Sequence, residues 1–119
     1  MAKIMINCTH GTDDPERAIL AFVTGNVAAS AGQEAVILLT IEGVRNATPG
    51  YAESVAKEGF PSMKDTLESF VKNGGQIWVC GTCAKPRGIT DKDLIAGARM
   101  VTAANAVEYL VSGAASLDW

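Results

Sequence analysis

Two cysteines three positions apart, Cys80 and Cys83, stand in the stretch "VCGTCAKPRGI" from Val79 to Ile89, and Lys85 and Arg87 follow within it. The thiolate is the reactive form of cysteine, and nearby positive charge stabilises it. The pair is a candidate for persulfide, disulfide or metal chemistry. Lys85 and Arg87 are placed to lower a thiol pKa or to hold an anionic donor. A single cysteine is often no more than a small buried hydrophobe. A pair in a polar, basic stretch points to function instead.

A second set lies near the start, where Cys8 and His10 flank Thr9. Cys8, His10, Cys80 and Cys83 together have the ligand types that zinc accepts. Cys-x-His is a rare zinc half-site, however, and a chain this apolar needs no structural metal. We therefore expect no bound metal and no other cofactor. Asp13 and Asp14 read as helix-capping residues rather than catalytic acids. The stretch "HGTDDPERA" has one glycine and three carboxylates, Asp13, Asp14 and Glu16, which would repel an anion at a helix amino end. No GxGxxG or GxxxxGK[ST] pattern is present.

The elements that must position these residues follow from the rest of the chain. Its 119 residues suit one domain over 1–119, and 48% are hydrophobic against 19% charged. That is ample for a core and leaves apolar surface for a subunit interface. The net charge is −3 and no basic run appears, so nucleic-acid binding by phosphate neutralisation is not expected. No apolar run reaches the roughly 18 residues that span a membrane, and "MAKIMINCTHGTDD" is not a signal peptide. Three cysteines is an odd count, which argues against a disulfide framework and for a cytoplasmic protein with reduced thiols.

Short apolar runs predict strands over Lys3–Asn7, Glu34–Ile41, Gln76–Cys80 and Ala98–Thr102, with a fifth in "ASLDW". Glu34–Ile41 is almost continuously apolar, as a strand buried on both faces of a parallel sheet must be. Helical spacing joins Ile19, Phe22, Val23 and Val27, then Met63, Leu67, Phe70 and Val71, then Ala103, Ala106, Val107, Leu110 and Val111. Asp13 or Asp14 caps the first of these helices and Ser62 the second. A short helix is expected over Tyr51–Lys57, and another around Leu94 and Ile95, capped by Thr90 and Asp93. Trp78 and Trp119 read as core or interface anchors. The alternation predicts an α/β fold, a three-layer αβα sandwich with a mainly parallel sheet of about five strands. Sites in such sheets gather where strands end and helices begin, which is where Cys80 and Cys8 fall. Pro86, Gly88 and Thr90 predict a loop after the thiols, not the long helix that follows a thioredoxin-type pair.

Cys80, Ala84, Arg87 and Gly88 follow the pattern Cys-x₃-Ala-x₂-Arg-Gly, preceded by "NGGQI". With "GTDDPERA" and "DLIAGARMV", this resembles the DsrE/DsrF-like family of sulfur-relay proteins over nearly the whole chain. Val44–Phe60 is the least similar part. The resemblance implies homo- or hetero-oligomers, often trimers or hexamers. It also implies a sulfur carrier that holds a persulfide on Cys80 and passes it to a partner thiol, such as a TusA-like or rhodanese-like protein. Cys83 departs from many relatives, which have a small residue there; it is a candidate to resolve or modulate the persulfide. Two other readings stand beside the carrier: a non-catalytic oligomeric module that binds a metal or ligand, and a thiol–disulfide oxidoreductase using Cys80 and Cys83.

Overall fold

A computed structural model describes all 119 residues. Five strands, β1 (Lys3–Cys8), β2 (Glu34–Leu39), β3 (Gln76–Cys80), β4 (Ala98–Val101) and β5 (Ala115–Asp118), form one sheet in the order β4-β3-β2-β1-β5. Every pairing is parallel. Four helices, α1 (Pro15–Ser30), α2 (Met63–Lys72), α3 (Gly81–Ala84) and α4 (Ala103–Val111), alternate with the strands, together with short 3-10 segments. The fold is the expected α/β sandwich. No helix is long and apolar enough to cross a membrane.

Helices cover the two sheet faces unequally. On one, α1 and α2 pack over a core that includes Ile6, Phe22, Ile37, Phe70, Ile77 and Val79. The Phe22 and Phe70 rings meet edge to face, centroids 6.3 Å apart. Each such side chain contributes ~1.5–3 kcal/mol through its burial. The other face has a smaller cluster of Met5, Val36, Trp78 and Val101 beneath Ala106 and Tyr109 of α4. Trp78 meets Tyr109 on one side and carries the Arg99 guanidinium at 4.9 Å. Trp119 packs against the main core and donates from Nε1 to Thr24 Oγ1.

The caps follow the sequence. Asp14 accepts from the Arg17 amide at the start of α1, and Ser62 from the Asp65 amide at the start of α2. Several boundaries differ. Strand β2 stops at Leu39, not Ile41, because Thr40 is drawn to Asn7 Nδ2 at 3.0 Å and the chain turns into a 3-10 segment over Ile41–Ala47. Strand β4 stops at Val101, because Thr102 caps α4 by accepting from the Asn105 amide. The helix expected over Tyr51–Lys57 is a single 3-10 turn, Tyr51–Ser54. The one expected around Leu94 and Ile95 is a 3-10 turn over Asp91–Asp93. Thr90 and Asp93 do cap it reciprocally, but Leu94 is already extended.

Parallel strands bring their carboxyl ends to one edge. Cys8 stands opposite Leu39 there, and Cys80 opposite Val101. This edge carries the thiols.

Candidate functional site

Cys80 is the last residue of β3 and the cap of α3, and Cys83 lies within the single turn of α3. The expected loop is thus a helical turn. It continues as a 3-10 turn over Lys85–Arg87 and ends at Gly88, whose φ of 73° glycine adopts without strain. Pro86 fits near the start of that turn, where a missing N–H costs little. No long helix follows the thiols.

All three cysteines are free. Cys80 and Cys83 are half-buried, and Cys80 lies close enough to Cys83 to raise its thiol. Burial pushes the Cys83 thiol above its ordinary value of 9.0. The Ile41 backbone pulls it down, a Cys80 thiolate would raise it further, and Arg87 opposes that only weakly. Cys83 therefore keeps its proton at neutral pH.

The opposite wall is the segment Ile41–Ala47, packed on α3. Its Glu42 bridges two guanidinium groups, accepting from Arg45 Nε at 2.7 Å and Arg87 Nε at 2.9 Å. The Arg87 guanidinium, with Arg45 beside it, holds the Glu42 carboxyl below its ordinary 4.5 against the opposing effect of burial. Arg87 also donates from a terminal nitrogen to the Cys83 carbonyl at 3.0 Å. Its charge is thus compensated by Glu42, and it ties two backbone segments together. Lys85 is exposed and joins none of the ion pairs.

Cys8 and His10 do not join the pair. Cys8 is fully buried, and burial pushes its thiol up to about 12, against smaller effects of the His10 backbone and the Asn46 amide. Its sulfur donates to the His10 carbonyl at 3.3 Å, and Asn46 Nδ2 reaches the same carbonyl at 2.9 Å. His10 bonds through Nδ1 to Asp13 at 3.0 Å, and Asp14 caps α1. No three His, Cys, Asp or Glu side chains come together in metal-binding proximity. A separate cavity of about 410 Å³ opens beside α2, lined by Asn46, Leu67, Val71, Ile95, Lys64 and Lys72 among others; neither thiol lines it.

Ile41 and Glu42 escape a reading of the sequence alone. Glu42 and Arg45 have the spacing of a helical ion pair, a usable signal. Glu42 and Arg87 are 45 residues apart and give none.

The profile of the DsrE/DsrF-like family matches residues 2–117. An uncharacterized protein of Methanocaldococcus jannaschii, MJ0760, is 30% identical over 108 residues, 91% of this chain and 39% of the relative. The chain thus spans about two fifths of that relative's length. A second uncharacterized protein of the same organism, MJ0989, is 29% identical over 91% of both chains. Among solved structures, the YchN protein of E. coli is similar over the full length of both chains, with a TM-score of 0.82 at 20% identity. A protein of unknown function from Methanobacterium thermoautotrophicum, MTH1491, matches at 0.75 and 15%, again over both full lengths. These two likenesses show the fold.

Proposed function

The chain belongs to the DsrE/DsrF-like family, generally linked to sulfur relay, and on that premise we propose that it is a sulfur carrier holding a persulfide on Cys80. The observation that carries this reading is the pairing of Cys80, fixed at the end of a rigid strand, with a neighbouring Cys83 whose thiol, raised by burial, keeps its proton. A hydrogen-bond donor beside a sulfur anion stabilises it. In the forward step a partner's thiolate attacks the outer sulfur of Cys80–S–SH. The new S–S bond forms on the partner, the bond to Cys80 breaks, and Cys80 leaves as a thiolate; no net oxidation occurs.

A second reading follows from the same pair of neighbouring thiols. A Cys83 thiolate attacking the Cys80 sulfur would form a Cys80–Cys83 disulfide and expel hydrosulfide, with the Cys83 proton released to solvent. The two thiols are oxidised and the sulfane sulfur is reduced. The raised Cys83 pKa disfavours this step at neutral pH. Incubation with a persulfide donor separates the readings. Stable gain of one sulfur atom supports the carrier; release of hydrosulfide with loss of two hydrogens supports the oxidoreductase.

Lys85, exposed beside the pair, is the side chain best placed to meet an anionic donor. A TusA-like or rhodanese-like protein fits as partner, and the cytoplasm, where thiols stay reduced, fits as the compartment. Self-assembly into a homotrimer or homohexamer belongs to the same reading. Val107, Leu110 and Val111 leave an apolar outer face on α4, 58%, 39% and 80% exposed.

A further inference from the structure

Asn46 is 1% exposed, and its side-chain nitrogen is fully engaged: Nδ2 donates to the His10 carbonyl at 2.9 Å and to the Cys8 sulfur at 3.7 Å. Its Oδ1, alone among the buried side-chain nitrogens and oxygens, has no hydrogen-bond partner. The neighbours fix which atom is which. A turned amide would set its oxygen against the His10 carbonyl oxygen and leave the N–H donors unpaired. A buried acceptor without a partner is costly, and native structures hold few of them. Neither the thiol pair nor its Arg87 clamp uses this atom.

Asn46 lines the cavity of about 410 Å³ beside α2, whereas Cys8 and His10 do not. The two polar atoms of a planar amide point apart, so with Nδ2 turned to Cys8 and His10 the oxygen is left toward the cavity. The apolar walls come from Leu67 and Val71 of α2 and from Ile95. The Ile95 amide donates to the Ala47 carbonyl at 2.8 Å, which fastens that wall to the segment carrying Asn46. Two lysines, Lys64 and Lys72, and two glutamates, Glu53 and Glu68, also line the cavity; all four are exposed, and their charges cancel. Lys64 already reaches Glu53 at 3.8 Å. A site apolar within and neutral at its mouth favours an uncharged ligand.

We propose that this cavity binds a small, uncharged, largely apolar molecule that donates one hydrogen bond, from an O–H or N–H, to Asn46 Oδ1. A cavity of this volume suits a small molecule, with apolar walls supplying contact area and one polar atom fixing orientation. The ligand's donor satisfies the orphaned acceptor while its body covers Leu67, Val71 and Ile95. The proposal goes beyond the sulfur-carrier reading and stands apart from it, since neither thiol lines the cavity.

The test is an NMR titration of the nitrogen-labelled native protein with phenol, toluene and benzoate at neutral pH. Phenol is uncharged there and carries an O–H; toluene has the same shape with a methyl in its place. Phenol should shift the backbone amides of Thr48 and Ile95 and the side-chain amide of Asn46, saturably. It should bind about tenfold more tightly than toluene, the worth of one hydrogen bond to an otherwise unpaired buried acceptor. Benzoate, an anion without a donor, should bind no better than toluene. Ala52→Trp sets an indole into the cavity from a half-buried lining position, and should abolish the phenol shifts while the spectrum stays that of a folded protein. Equal affinity for phenol and toluene, tighter binding of benzoate than of phenol, or no saturable shift at these residues overturns the proposal. Phenol binding retained in folded Ala52→Trp protein overturns it as well. Should Ala52→Trp not fold, the comparison of the three ligands on the native protein decides alone.

Discussion

Arg87 and Glu42, 45 residues apart in the chain, share a hydrogen bond of 2.9 Å. Through it the segment after β2 is fastened to the turn that carries Cys83. Both side chains are about three-quarters shielded, so the pair lies between the weak ion pairs of open surface and the costly ones of the interior. Arg87→Ala should lower unfolding free energy by about 1–2 kcal/mol, as read from urea denaturation. Arg87→Lys should recover less than half of the loss, because a single ammonium cannot span both the carboxylate and the Cys83 carbonyl.

The clamp has a pH signature. Arg87 and Arg45 hold the Glu42 carboxyl below 4.5 in the folded protein. The folded value is depressed, so the stabilisation is complete above the unfolded pKa and is lost as pH falls through the folded one. The stability difference between the parent protein and Glu42→Gln should therefore be constant above about pH 5.5 and shrink steadily below about pH 4.5. A difference that grows on acidification would contradict the assignment.

Gly43 should tolerate no side chain. Gly43→Ala would drive a Cβ to 2.1 Å from the Cys8 carbonyl oxygen, a backbone atom unable to yield. A loss of about 2–3 kcal/mol is expected in denaturant titration. Gly81→Ala is the control: its Cβ would meet nothing closer than 3.4 Å, and stability should change by less than about 1 kcal/mol.

Cys8 should be silent in the folded protein. It is fully buried, with its thiol pushed up to about 12. Mass spectrometry after native alkylation at about pH 8 should find it unmodified, and full modification of all three cysteines should require guanidinium. Native labelling of Cys8 would mean that its strand end opens far more readily than its packing indicates.

Much of this was legible in the sequence, for physical reasons. The strand runs and the apolar spacing of α1 and α2 report burial directly, and Asp14 and Ser62 mark helix starts because their oxygens satisfy free amides. The thiol pair was visible from spacing and Cys80 from the family pattern. The segment Ile41–Ala47 was not legible. Its conformation is set by contacts with Cys8, Thr9 and Arg87, none of which a local window contains. Arg87 shows the same limit. Its nearness to the thiols suggested a charge acting on them, whereas Glu42, distant in sequence, compensates that charge.

The exposed face of α4 should be covered in solution. Val107, Leu110 and Val111 stand on one short helix, and Leu117 is 38% exposed on the edge strand β5. Light scattering at micromolar concentration should give an oligomer, and Val107→Glu with Val111→Glu should reduce it to a monomer that remains folded by circular dichroism. A monomeric parent protein would remove self-assembly from the account.

The most direct measurement is the intact mass of Cys80→Ser and Cys83→Ser proteins after incubation with a persulfide donor and removal of excess reagent. The account predicts a gain of one sulfur atom, reversible by dithiothreitol, on Cys83→Ser and none on Cys80→Ser. Loading on Cys80→Ser alone, or on neither protein, would contradict it.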